Sequence, residues 1–159
     1  MKNLFLLVIT VFTFSFGNAQ TNYLPTLKSL IQSSNQNFED ILGEKLSSQG
    51  YVSTHNSKTK FGVGKEFIDK MPKNTLGNIF TLVSSGKSSE GLEMQIIDYV
   101  KENFVGDQYL ISLDQDEKTG YYSLIIMKKS TTRIFLMADK KLNSTSNTDE
   151  YQLKIYGQE

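Results

Sequence analysis

The stretch "QYLISLDQDEKTGYYSLIIMKKSTTRIFLMADKKLNSTSNTDEYQLKIYG", Gln108–Gly157, contains four runs rich in Ile, Leu, Tyr and Phe: "QYLISL", "YYSLIIMKK", "RIFLMADKK" and "YQLKIYG". Polar links separate them at Asp114–Gly120, at Ser130–Thr132 and in "LNSTSNTDE". Runs of this composition with short polar joints predict an antiparallel meander, because antiparallel neighbours need only a tight turn between them.

The first link is also the densest acidic segment of the chain, with Asp114, Asp116 and Glu117 in four positions. An EF-hand loop requires oxygen ligands at positions one, three and five, Gly at six and Glu at twelve. Asp114 and Asp116 meet the first two, but Lys118, Thr119 and Ile125 occupy the others. A lysine among the ligands repels the ion, and strands flank the loop instead of helices. A polar link ending in Gly120 reads as a hairpin turn. The same carboxylates would serve hydrolysis only if two of them faced each other across a bond, one shielded enough to keep its proton.

Upstream, "GKSSEGLEMQIIDYVKENFVG" turns helical. Leu92, Ile96, Tyr99, Val100 and Phe104 form one stripe, Ser88 or Ser89 can cap, and Glu90, Glu93 and Lys101 suit the helix dipole. Before it, "YVSTH", "KFGVGKEFI" and "GNIFTLVSS" carry strand composition. The segment "YLPTLKSLIQSSNQNFEDILGEKL" has apolar residues at helical spacing, with Pro25 acceptable only in a first turn. Ser33, Ser34 and Asn35 weaken it, so a helix through about Gln36 is expected, with Phe38–Leu46 either its continuation or a separate element.

The order helix, strands, helix, strands predicts an α+β domain with two main helices packed on one face of an antiparallel β-sheet. It also admits two copies of a helix-plus-strands unit, one from near Tyr23 and one from near Ser88, although their residues do not align.

Residues 1–19 read as a cleaved secretory signal peptide, and 20–159 as a single domain. Lys2 precedes an apolar run, Leu4–Phe16, shorter than a membrane span needs, and Gly17-Asn18-Ala19 supplies small residues before the cut. Export is the expectation, to a periplasm or the extracellular space, with no membrane span after cleavage. The chain has no cysteine, which removes disulfides, thiolate metal sites and Cys nucleophiles and fits a bacterial envelope protein. Basic and acidic residues balance at 17 each and are interspersed, so no footprint for nucleic acid appears.

The remaining motifs are weak. "SSGKSS", Ser84–Ser89, has the Gly-Lys-Ser of a phosphate loop, but Thr81 stands where the pattern needs its first Gly. An anion at that helix start remains an option, given exposed N–H groups and Lys87. His55 is the only histidine, which excludes a three-histidine metal site, and no G-x-S-x-G elbow accompanies it. Asn143-Ser144-Thr145 is a formal glycosylation sequon.

No catalytic constellation, cofactor motif or metal set emerges. The expected function is a non-enzymatic binding module, uncharacterised as to partner, that uses its sheet face. Tyr121, Tyr122, Tyr151 and Tyr156 are the candidate surface toward a protein, peptide or glycan. The competing reading of these rings is core filling. The alternative function is a small exported hydrolase using Asp114, Asp116 or Glu117.

Overall fold

The computed structural model describes residues 21–158 except 74, 76 and 105. The segment read as a leader lies outside the described residues. Helix α1, Leu24–Ser34, is followed by β1 Leu42–Gln49, β2 Val52–Ser57, β3 Lys65–Lys70 and β4 Ile79–Ser85. Helix α2, Gly86–Asn103, precedes β5 Tyr109–Gln115, β6 Tyr122–Lys128, β7 Arg133–Asn143 and β8 Thr148–Tyr156. The strands form one eight-stranded antiparallel sheet in the order β1-β2-β3-β4-β8-β7-β6-β5. The class is α+β, as the alternation of periodicities predicts.

Each half is a four-stranded meander, and the halves join where β4 pairs with β8 from Ile79↔Tyr156 to Ser85↔Glu150. Both helices contact β8, α2 also contacts β4, and the helices contact each other. Along β8 the residues Tyr151, Leu153 and Ile155 are buried while Gln152, Lys154 and Tyr156 are half-buried, the period of two expected of a strand. The buried set belongs to one core with Leu27 and Leu30 of α1 and Leu92, Ile96 and Val100 of α2. Phe80, near the start of β4, packs between Phe38 and Phe61, with ring centroids 6.5 and 6.2 Å away.

Three local expectations are corrected. The first helix ends at Ser34 rather than near Gln36, because Asn37 and Phe38 adopt left-handed conformations (φ 52° and 60°) that no helix continues through. The segment after it is neither a helical continuation nor one short element. Phe38–Ile41 lies in a turn and Leu42–Gln49 forms β1, whose Leu, Glu and Lys spacing resembles a helix but whose backbone pairs with β2. The second helix begins at Gly86, earlier than a cap at Ser88 or Ser89 would set. Ser89 Oγ instead donates to Glu93 Oε1 at 2.7 Å.

A polar junction ties the end of α1 to the start of β4. Asn78 Nδ2 donates to Asn37 O at 2.8 Å, Asn78 N to Asn37 Oδ1 at 2.6 Å, and Met71 N to Asn78 Oδ1 at 3.0 Å. Gly157 N reaches Asn78 O and Gln158 N reaches Ser34 O, both at 2.8 Å. The end of β8 is thereby locked to the end of α1. Gly77 and Gly157 permit this approach: a Cβ on the first would meet Gly157 O, and one on the second would meet Asn37 Oδ1.

Candidate functional site

Directly paired residues of an antiparallel sheet share a face. Followed across the strands, the residues opposite Leu153 and its core neighbours make an outer face with two continuous rows. One runs Asn56, Phe67, Thr81, Lys154, Met137, Ile125, Ser112; the next runs Lys65, Val83, Gln152, Asp139, Ser123, Asp114. On the far side of the first row, Thr54, Asp69, Ile79 and Tyr156 begin a third, and Met127 pairs with both Ile134 and Leu110. Phe67, Ile79, Val83, Ile125, Met127, Ile134, Met137 and Tyr156 are all half-buried. The surface therefore carries apolar side chains on β3, β6 and β7, with Thr81 and Lys154 between them and both signs of charge alongside. Thr54 Oγ1 donates to Asp69 Oδ1 at 2.7 Å and Ser123 Oγ to Asp139 Oδ1 at 2.6 Å, which fixes two of the acids in place. Burial, and then the Asp139 charge, raise the Tyr156 pKa above its ordinary value.

The four tyrosines singled out in the sequence do not form one surface. Tyr122 and Tyr151 are core residues, at 9 % and 0 % exposure, and have no area to offer a partner. They fall on the core parity of β6 and β8, the same parity as Leu124 and Leu153. Tyr121 lies just before β6, where its hydroxyl donates to Asp149 Oδ1 at 3.0 Å. Tyr156 alone belongs to the outer face. The residues that make that face are mostly aliphatic, so tyrosine content does not mark them. Their signal was present in "SLIIM", where apolar residues occupy both parities of a strand and so apolar character is implied on both faces.

Beneath the sheet's core face, Glu93 accepts from Ser89 and pairs with Lys140 Nζ at 3.3 Å. The Tyr122 and Tyr151 hydroxyls lie near this pair and near each other, and neither makes a hydrogen bond of ordinary geometry. Burial is the first cause of a raised pKa for both phenols; for Tyr122 the Glu93 charge comes next, and for Tyr151 the charge of Tyr122. A folded state that keeps these protons above pH 10 loses stability there, since the unfolded chain releases them at the ordinary value. Denaturant unfolding between pH 9 and 11.5 is expected to show a falling midpoint that flattens in Tyr122→Phe/Tyr151→Phe. Equal slopes in the two proteins would refute the assignment.

The acidic link is a hairpin turn. Asp116 N donates to Tyr121 O at 2.9 Å, Gly120 N to Asp116 O at 2.8 Å, and Gly120 takes a left-handed φ of 72°. Lys118 N donates to Asp116 Oδ1 at 2.9 Å, and this bond, followed by one from Thr119, holds the Asp116 carboxyl below its ordinary pKa. Asp114, Asp116 and Glu117 are all exposed, so nothing there shields a carboxylate. His55 bridges Gly43 O through Nδ1 at 3.1 Å and Ser53 Oγ through Nε2 at 3.0 Å, a role within the β1–β2 region. Ser85 is the N-cap of α2 without a side-chain cap, its hydroxyl 2.9 Å from that of Ser88. Among the described residues no group of three His, Asp or Glu side chains is placed to hold a metal ion, and no helix is long and apolar enough to cross a membrane.

Compared with known proteins, the chain matches no family model, no curated protein and no solved structure.

Proposed function

We propose that the protein is an exported, non-enzymatic binding module that holds a protein partner on the outer face of its sheet. The observation that carries this reading is the set of half-buried apolar side chains on the middle strands, Phe67 on β3 and Met137 and Ile125 on β7 and β6, with Lys154 between them and Lys65, Asp69 and Asp139 alongside. Apolar side chains grouped around a few charges are the composition of a protein-recognition surface. A glycan would call for more stacking rings than Phe67 and Tyr156 provide. The same reading takes both helices as the cover of one face, supported by their common contact with β8. It takes α1 with β1–β4 and α2 with β5–β8 as two copies of one unit, supported by the mirror-like strand order about β4 and β8.

The test is affinity capture from envelope and medium fractions with the purified chain and with Phe67→Lys/Met137→Lys. The substituted side chains are half-exposed, so the melting temperature should change by only a few degrees, whereas the saturable partner should be lost, with affinity down at least about 100-fold as expected for a centrally placed charge. A partner retained at full strength by the double variant would end the proposal. Replacing Asp116 and Glu117, in the turn beyond β5, by Asn and Gln is expected to leave capture unaltered.

A further inference from the structure

The sheet has two edges, β1 and β5, and they are built differently. Strand β1 is interrupted by two register shifts against β2 and carries Glu44 and Lys45. Bulges and charges of this kind keep an edge from pairing with another chain. Strand β5 runs in unbroken register with β6, from Tyr109↔Lys128 to Gln115↔Tyr122, and contains no Lys, Arg, Pro or Gly.

The direction of its free backbone groups follows from two bonds at its ends. Lys129 N donates to Gln108 O and Asp116 N to Tyr121 O, both at 2.9 Å, so the even-numbered positions exchange bonds with β6. By alternation the N–H and C=O groups of Tyr109, Ile111, Leu113 and Gln115 point out of the sheet. The side chains are equally unprotected: Leu110, Ile111 and Leu113 are 50, 45 and 47 % exposed, and Met94 on nearby α2 is 61 % exposed. Between α2 and this strand lies an apolar hollow of about 60 Å³ lined by Ile97, Val100, Lys101, Ile111, Leu113 and Leu124.

We infer that β5 pairs antiparallel with β5 of a second copy of this chain, about a two-fold axis through Ser112, to make one continuous sheet. In that register Ile111 faces Leu113 of the second copy, Leu113 faces its Ile111, and Tyr109 faces its Gln115. Each outward backbone group of these four residues finds a partner. Apolar side chains meet on the side where Met94 and Ile97 extend the contact. The one charged residue of the strand, Asp114, faces Leu110 of the copy instead of its own counterpart. Basic and acidic residues of the chain are close to balance with or without Lys2 of the segment read as a leader, so little net repulsion opposes pairing. A foreign strand would gain the same backbone bonds, but Ile111 and Leu113 stand symmetrically about Ser112, so a second copy sets apolar against apolar at both central hydrogen-bonded pairs. Seven paired residues span about 24 Å, so the dimer belongs to the smaller, weaker class of interface.

The experiment is sedimentation equilibrium of the purified chain over a range of concentrations, combined with residue-resolved amide exchange. The mass should rise with concentration toward two chains. The amides of Tyr109, Ile111, Leu113 and Gln115 should exchange slowly when concentrated and fast on dilution, while those of Leu110, Ser112 and Asp114 stay slow throughout. Leu113→Lys should weaken self-association at least about tenfold by placing a charge in the seam. Ile111→Pro removes an outward N–H together with one side chain of the hollow, adds no charge, and should do the same, which keeps the test decisive if the lysine variant folds poorly. Leu46→Lys, on the other edge, should have no effect. A single chain mass at every concentration, a dimer dissolved by Leu46→Lys and not by the β5 variants, or uniform exchange along β5 would overturn the inference. Self-association is read without any partner, so its failure leaves the outer-face proposal standing and the converse also holds.

Discussion

Replacing Phe80 with Ala is expected to lower stability by about 4 kcal/mol, the cost of removing a buried aromatic ring and leaving a cavity. At this chain length that corresponds to roughly 12 °C in the unfolding midpoint. Phe80 is fully buried, near the start of β4, and wedged between Phe38 after α1 and Phe61 before β3. Its backbone neighbours across the sheet, Ile68 and Ile155, are also fully buried, so the site has little freedom to collapse. A loss of this size is a large part of the roughly 5–15 kcal/mol that holds a domain together. The comparison that gives the result its meaning is Phe67→Ala, one strand away on the opposite parity. That ring is half-buried on the outer face, and its loss should cost no more than about 1.5 kcal/mol. Equal losses in denaturant unfolding would mean that core and outer face have been assigned to the wrong parities.

Asn78→Ala should cost about 2 kcal/mol, because it removes the side-chain partner of two half-buried backbone groups at once. The side chain, 2 % exposed, donates to Asn37 O and accepts from Met71 N. Without it the carbonyl at 37 and the amide at 71 lose those protein partners, in a turn where Asn37 is already held in a left-handed conformation. The junction also aligns the end of β8 with the end of α1 through Gly157 and Gln158. Its loosening should therefore appear in amide exchange at the Ile79↔Tyr156 end of the β4–β8 pair and not at the Ser85↔Glu150 end. Asn103→Ala, at the exposed end of α2, should stay within about 0.5 kcal/mol of the parent in the same assay. A loss at Asn78 no larger than that at Asn103 would show that the junction does not hold these elements together.

Local chemistry made much of this fold legible. The stripe Leu92, Ile96, Val100 and Phe104 announces α2, and these residues are buried. The polar link with Gly120 announces the β5–β6 hairpin, since that turn needs a residue tolerant of positive φ. The β1 segment was illegible because Leu42, Glu44, Lys45 and Leu46 satisfy a helical spacing as well as a strand. Pairing with β2, beginning at Leu42↔Ser57, decides between them.

The candidate site was less legible than the fold. Tyr122 and Tyr151 are strand aromatics, and nothing in their own neighbourhood says whether they point inward. Alternation divides a strand into two sets of side chains but does not say which set a helix will cover. That choice is made by α1 and α2 settling over β4 and β8, elements far apart in the chain. Composition, strand periodicity, turn chemistry and the α2 stripe are properties of neighbouring residues, so the order of elements and the α+β class follow from the chain as written. The joining of the two meanders through Ile79↔Tyr156, the burial of Tyr151 and the exposure of the Phe67–Met137 band arise only when distant segments compete to hide apolar surface from water.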